Sequence, residues 1–335
     1  MRHFVIVGIL VILVAFLTHA GLVHQNLMPA EASTQATYID WMWDLQVIAM
    51  SFLFALIVVP MIYSLVVFRR KKGDNTDAQH IEGNTNLEIA WTAIPLFVVV
   101  IFSYLGAGNL ADTLRPSPNE LVVKVTGFQW GWRFEYPDYG IITTEMYVPV
   151  NQPIHLKMES TDVIHSFWVP EFRVKQDLVP GRVTDLRITP SLTGNYKVRC
   201  AELCGTSHYA MEQPVIVVDA NTFTAWVAQQ QEVAAQLAAT PEGRGQKIYE
   251  TFCKACHSIN GSAGNGPTWR GLYGSDVEFV DGTTGVADDA YIIESIQNPS
   301  AKVVAGYPPM NFNYEAAGIT VEQLNDILAY IKTLK

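Results

Sequence analysis

The chain has 335 residues and a formal net charge of −10, with 49% hydrophobic and only 16% charged residues. That length holds two ordinary domains in addition to membrane segments. Phosphate backbones are bound by clustered Lys and Arg, and apart from one basic cluster near the membrane the chain has no basic stripe, which excludes nucleic acid as a partner.

The apolarity is concentrated at the front. The first apolar run, Phe4 to about Leu22, follows a short basic start at Arg2, so residues 1–32 read either as a signal peptide or as a first transmembrane helix. Both alternatives deliver the following chain outward. The second run, roughly Leu45 to Phe68, is long enough for a bilayer core, which takes about 20 residues. It ends in Arg69-Arg70-Lys71-Lys72, and a third run follows from about Leu87 to Leu110. Residues 40–111 are therefore predicted to form a transmembrane helical hairpin. A basic cluster in the short loop between two spans belongs on the cytoplasmic side, so the chain after residue 111 is expected outside the cell membrane. Glu88 stands near the cytoplasmic start of the third run, where an ionisable residue either touches the headgroups or has a function.

From residue 112 to 220 the pattern is strand. Leu121–Val125, Ile141–Val150, Ile154–Met158, Val183–Ile188, Tyr196–Cys200 and Pro214–Val218 are short β-rich segments separated by Pro and Gly turns. Such spacing predicts an all-β sandwich or barrel. Near its end comes Cys200-Ala-Glu202-Leu-Cys204-Gly-Thr-Ser-His208-Tyr-Ala-Met211, and His165 lies upstream. Soft sulfur with imidazole selects copper or zinc, and a thioether tilts the choice to copper. One Cys, two His and one Met would make a mononuclear blue-copper site, whereas two thiolates can bridge two copper ions. A Cys200–Cys204 disulfide and a structural zinc site compete with this reading, although zinc has no use for Met211.

These residues resemble the copper-A motif of subunit II of haem–copper cytochrome c oxidases. The resemblance runs over most of residues 40–220, through Trp91-Thr-Ala-Ile-Pro95, Gly127-Phe-Gln129-Trp130-Gly-Trp132 and Asp162 to Arg182. It implies a cupredoxin domain holding a dinuclear copper, with Cys200 and Cys204 bridging and His165 and His208 terminal. Met211 would bind one copper and the Glu202 carbonyl the other, while the Glu202 carboxylate would reach a magnesium ion shared with subunit I. It also implies that Trp130 is the exposed aromatic where electrons enter, and that Glu88 marks the mouth of a proton channel in subunit I. Trp132 and Phe134 are read as packing residues. One departure stands out: Gly131 lies between the tryptophans where an aromatic is usual.

Residues 221–241, rich in Ala and Gln, are predicted to be a helical linker to a domain spanning 242–335. That domain contains Cys253-Lys-Ala-Cys256-His257. Two thiols so spaced form thioethers to haem vinyl groups, and the adjacent His becomes an axial iron ligand. A redox dithiol would need a strand before it, and the approach Gly245–Phe252 reads as helix. The sixth ligand is expected at Met310, after Pro308-Pro309, the only Met beyond Met211. Val321–Leu334 has helical periodicity, with Leu324, Ile327, Leu328 and Ile331 on one side. This order resembles an all-α class I cytochrome c. Its 11 acidic and 7 basic residues make it mildly acidic, which suits a tethered carrier that needs no charge steering.

Taken together, the chain resembles subunit II of a caa3-type cytochrome c oxidase. The resemblance implies a multi-pass protein of a prokaryotic cell membrane, in contact with lipid, with both redox domains extracytoplasmic. It would pass electrons from an external donor (a soluble cytochrome, a copper protein or a quinol-oxidising complex) through haem c and copper A to subunit I, with subunit III beside it. Subunit I would reduce oxygen and pump protons. The alternatives are an anchored copper chaperone, a quinol-oxidase subunit that has lost its metal, and a copper-A domain of a nitrous-oxide or nitric-oxide reductase.

Overall fold

The computed structural model describes residues 1–335 except 26, 74, 75, 78, 79, 263 and 311. The chain divides into two compact units, Met1–Arg115 and Pro116–Lys335. The first is built from α1 (Arg2–His24), α2 (Thr34–Val67) and α3 (Thr85–Leu114), each long and apolar enough to cross a membrane. They anchor the chain there. Helix α2 starts about three turns before its apolar run, because the Ser33 side chain accepts the Ala36 N–H (3.0 Å) and caps it there. Val11 of α1 packs on Ala55 and Val59 of α2. The fully buried Ala55 allows the close approach by which small residues join helices in lipid. Phe16, Ile57 and Val99 stay more than half exposed, as side chains facing lipid do.

The second unit opens with two five-stranded sheets. One has the order β3 (Ile141–Thr143), β2 (Gly131–Tyr136), β1 (Leu121–Phe128), β5 (Ile154–Ser160) and β8 (Thr184–Ile188). The other has β4 (Met146–Pro149), β10 (Glu212–Val218), β9 (Gly194–Cys200), β6 (His165–Trp168) and β7 (Lys175–Leu178). This is a cupredoxin-like sandwich, and strands alternate inward and outward residues in it. Trp132, Phe134 and Tyr136 of β2 are fully buried with Phe167, Leu156 and Met158. Trp132 and Phe134 are thus core residues, as read from the sequence. Strand β2 itself escaped that reading, because its aromatic run masks the alternation.

Helix α4 (Ala220–Ala238) lies where the helical linker was expected, and it also packs on the β domain. Its Asp219 cap accepts the Asn221 and Thr222 N–H groups at 3.0 Å. Phe223 and Trp226, three apart and so on one face, bury themselves against Tyr136, Tyr139 and Tyr147. The first half of α4 therefore belongs to the β domain's packing.

The C-terminal part is helical: α5 (Pro241–Ile248), a π-helical turn over Tyr249–Cys253, a small hairpin of β11 (Asp276–Glu278) and β12 (Thr284–Val286), α6 (Asp289–Gln297) and α7 (Val321–Thr333). Thr320 and Gln323 form a capping box at the start of α7. Leu324, Ile327, Leu328 and Ile331 of α7 are buried with Ile248 and Tyr249. Helices α5 and α7 cross at Gly245, where an added Cβ would stand 1.9 Å from the Asp326 carbonyl oxygen. Beside the crossing, Arg244 holds the Asp326 carboxylate with Nε at 2.9 Å and Nη2 at 2.7 Å. This is a cytochrome c-like helical domain.

Candidate metal centre and haem-attachment site

Cys200 ends β9, and the loop after it returns to β10, so a short stretch presents most of the soft donors. The Cys200 and Cys204 sulfurs are 3.6 Å apart and both are free thiols, which excludes a disulfide in this structure. Around them stand His165 Nδ1 (3.8 Å from Cys200 Sγ), His208 Nδ1 (3.5 Å from Cys204 Sγ) and Met211 Sδ (3.7 Å from Cys204 Sγ). The Glu202 carbonyl oxygen lies 3.1 Å from Cys200 Sγ, while its side chain is exposed. All the predicted copper donors thus converge from two places in the chain. His165 arrives from β6 because Phe167 pairs with Cys200 across the sheet.

Sequence reading missed the residue that orients His165. Asp162 Oδ1 accepts from His165 Nε2 at 2.8 Å, leaving Nδ1 turned to the sulfurs. Asp162 is in turn held by the Gln129 and Val163 backbone N–H groups, both at 2.6 Å. Burial pushes the Asp162 carboxyl up, but these hydrogen bonds outweigh it and hold the group below the ordinary carboxylate range. The signal available in the sequence was its position three residues before His165. For the thiols, burial again pushes upward. At Cys200 the hydrogen bonds from His165 and the Ser166 backbone prevail and bring it to about 6, whereas burial and the neighbouring Cys200 raise Cys204 to about 12. The environment thus favours the thiolate at Cys200 and the thiol at Cys204, and binding a soft cation favours the thiolate of both. Replacing Asp162 by asparagine is expected to lower copper affinity roughly 10–100-fold, the usual cost of losing a carboxylate behind a metal-binding histidine. Competition with a copper chelator measures this, and an unchanged affinity would remove Asp162 from the site.

Trp130 and Gln129 form the tip of the β1–β2 hairpin, and both donate to the Cys204 carbonyl, Trp130 Nε1 at 3.2 Å and Gln129 Nε2 at 2.6 Å. Trp130 is half-buried here, where the resemblance pointed to an exposed aromatic. The reason is packing: its ring lies against Gly205, and its backbone is hydrogen-bonded to the Cys256 thiol of the helical domain.

In that domain His257 Nδ1 lies 2.7 Å from the Pro267 carbonyl. A carbonyl only accepts, so Nδ1 carries the proton and Nε2 keeps its lone pair for a metal. Burial keeps the imidazole below its ordinary pKa, with the Pro267 carbonyl acting the other way. Burial raises both thiols, Cys253 to about 12 and Cys256 likewise upward. A redox dithiol needs a lowered nucleophile, so the pair suits covalent attachment better. Met310 is half-buried on the loop between α6 and α7, its carbonyl accepting from Ser300 Oγ at 3.1 Å. Glu88 sits in the first turn of α3, where Oε1 accepts the Asn84 N–H (3.2 Å) while Asn84 Oδ1 accepts the Leu87 N–H (3.1 Å). Its visible task is to cap that helix.

The fold and these side chains define a membrane-anchored cupredoxin-like protein carrying a cytochrome c domain. The family model for the periplasmic domain of cytochrome c oxidase subunit II matches residues 141–220, that for its transmembrane domain residues 19–105, and that for cytochrome c residues 243–335. Cytochrome c oxidase subunit 2 of Thermostichus vulcanus is 33% identical over 296 residues, covering 72% of this chain and 89% of that protein. Its counterpart in Alkalihalophilus pseudofirmus is 30% identical over 312 residues, 88% of each chain. The crystal structure of the periplasmic domain of subunit II of the Bradyrhizobium japonicum oxidase is 34% identical, covering 35% of this chain and 96% of that one at a TM-score of 0.33. The chain belongs to the cytochrome c oxidase subunit II family, in the form with a fused cytochrome c domain.

Proposed function

We propose that this chain is the subunit through which electrons enter a caa3-type oxidase. The observation that carries the reading is the constellation of two unbonded thiols 3.6 Å apart with one imidazole nitrogen beside each and Met211 Sδ behind Cys204. Cys200 and Cys204 would bridge two coppers, with His165 and His208 terminal and Met211 and the Glu202 carbonyl as weak outer donors. Cys253 and Cys256 would hold haem c, with His257 and Met310 axial. When bound, these groups supply outer-sphere electron transfer from an external donor toward the partner that reduces oxygen.

The protein's own residues set the conditions for this. Asp162 fixes the His165 ring, Pro267 fixes the His257 tautomer, and Trp130 joins its indole to the Cys204 backbone. Leu203 and Tyr209, flanking the copper donors, are 83% and 84% exposed. An apolar rim around a buried site suits a partner subunit, and we assign it to subunit I, with subunit III in the same complex. The exposed Glu202 carboxylate would reach a magnesium ion across that contact, and Glu88 would stand at a proton-channel mouth. The Arg69–Lys72 cluster favours a cytoplasmic α2–α3 loop and extracytoplasmic redox domains. We divide the chain into residues 1–32, the hairpin 40–111, the copper domain 112–220, the connecting helix 221–241 and the cytochrome 242–335.

The test is metal analysis and copper EPR on the full chain, matured with haem and copper. Two coppers and one iron per chain are expected, with one unpaired electron shared over both copper nuclei. A single exchangeable copper with a mononuclear spectrum would replace this reading by a copper chaperone.

A further inference from the structure

Strand β2 has two faces with period-two alternation. Trp132 and Phe134 fill the sandwich core, while Gly131 and Arg133 face the other way. Both of these outward residues meet the cytochrome domain. A Cβ added at Gly131 would lie 3.0 Å from Phe128 Cζ and 3.6 Å from the Ala255 Cβ, inside the haem-attachment motif. The Arg133 guanidinium lies 4.8 Å from the centre of the Phe252 ring. On the loop after the copper donors, buried Ser207 donates Oγ–H to Asn265 Oδ1 at 3.1 Å, and Asn265 also hydrogen-bonds to Cys256. Strand β3 also packs against the π-helical turn Tyr249–Cys253. Beside them the seam opens into a cavity of about 230 Å³ lined by Glu145, Glu250 and Lys254 among others. Gly131 itself is buried, and its backbone has no positive φ that would demand glycine. The absence of a side chain is therefore a matter of space, not of conformation.

We propose that Gly131 is the seat of the fused cytochrome: the missing side chain lets the haem-attachment loop dock on the β1–β2 hairpin and cover Trp130 with the chain's own carrier. The proposal rests on the functional reading above and deepens it. The position where the resemblance expects an aromatic is here given over to Ala255. Cys256, which would hold the haem, meets the Trp130 backbone through its sulfur, so a bound haem would supply electrons beside Trp130 and external donors would be served at the cytochrome domain instead. The seat holds the domain in one pose, where the tether alone would only raise its local concentration.

Gly131→Trp tests the seat, with Ala255→Trp crowding the same contact from the other side. Both are made in the full chain, loaded with copper and haem. Native copper EPR and haem absorbance serve as the folding control, and if Gly131→Trp loses either signal, Ala255→Trp decides. Amide hydrogen exchange over residues 128–132 and 252–258 is expected to rise about tenfold or more as docking is lost. Haem-to-copper electron transfer after photoreduction of the haem is expected to fall by about tenfold or more, as a fixed pose becomes a tethered encounter. Wild-type exchange in both segments and wild-type transfer, in a variant with both signals intact, would overturn the proposal. A missing paired-copper signal in the wild-type chain would instead overturn the functional reading, and the exchange measurement would still report on the seat.

Discussion

Cys204→Ser is expected to reduce the copper content from two to at most one per chain and to abolish the shared-electron EPR signal. Cys204 is the hub of the constellation. Its sulfur lies 3.6 Å from Cys200 Sγ, 3.5 Å from His208 Nδ1 and 3.7 Å from Met211 Sδ. A hydroxyl is a hard donor that stays protonated near neutral pH, so it neither bridges two soft ions nor balances their charge. The loss should exceed the roughly 10–100-fold effect of removing an outer partner such as Asp162. The fold should survive, because the Cys204 carbonyl keeps its bonds from Gln129 and Trp130. Metal analysis with EPR reads the outcome, and two coppers with a native spectrum in this variant would refute the bridging role.

The largest effect on stability is expected from Gly245→Ala. Helix propensity alone would favour alanine by about 1 kcal/mol. Packing acts in the opposite direction and wins, because the new methyl would stand 1.9 Å from the Asp326 carbonyl oxygen and 2.8 Å from the Tyr330 Cβ. The first obstacle is backbone, so no rotamer change relieves it and α5 must move off α7. Overpacking of this kind costs on the order of 2 kcal/mol or more. For a domain of this size that lowers Tm by roughly 8–15 °C. Calorimetry should show the cytochrome transition falling while the copper domain's transition stays in place. An unshifted cytochrome transition would mean that α5 and α7 do not cross as closely as described.

The donor loop was legible in the sequence because its chemistry is local. Cys200, Glu202, Cys204, His208 and Met211 fall within twelve residues, and so many soft donors in one loop have few uses besides metal. The Cys253–His257 motif was legible for the same reason, as were the three apolar runs and the α7 stripe. Strands β6 and β7 were not legible, because each is only four residues long and, although they pair with each other, β6 joins the sheet through the distant β9. Helix α4 reads as a helix from composition alone, but its docking depends on Tyr136, Tyr139 and Tyr147, more than seventy residues upstream.

By itself the sequence displayed the clustered sulfur and imidazole side chains, the Cys253–His257 spacing, the three apolar runs and the order of the β-rich and helical parts, since each rests on short-range spacing, hydropathy or composition. Tertiary structure decided how those parts meet. It brought His165 across 35 residues to Cys200, set Asp162 behind the imidazole, and turned Gly131 and Arg133 toward the cytochrome domain. These contacts join residues far apart in the chain, and only the packing of sheet against sheet and domain against domain fixes their distances.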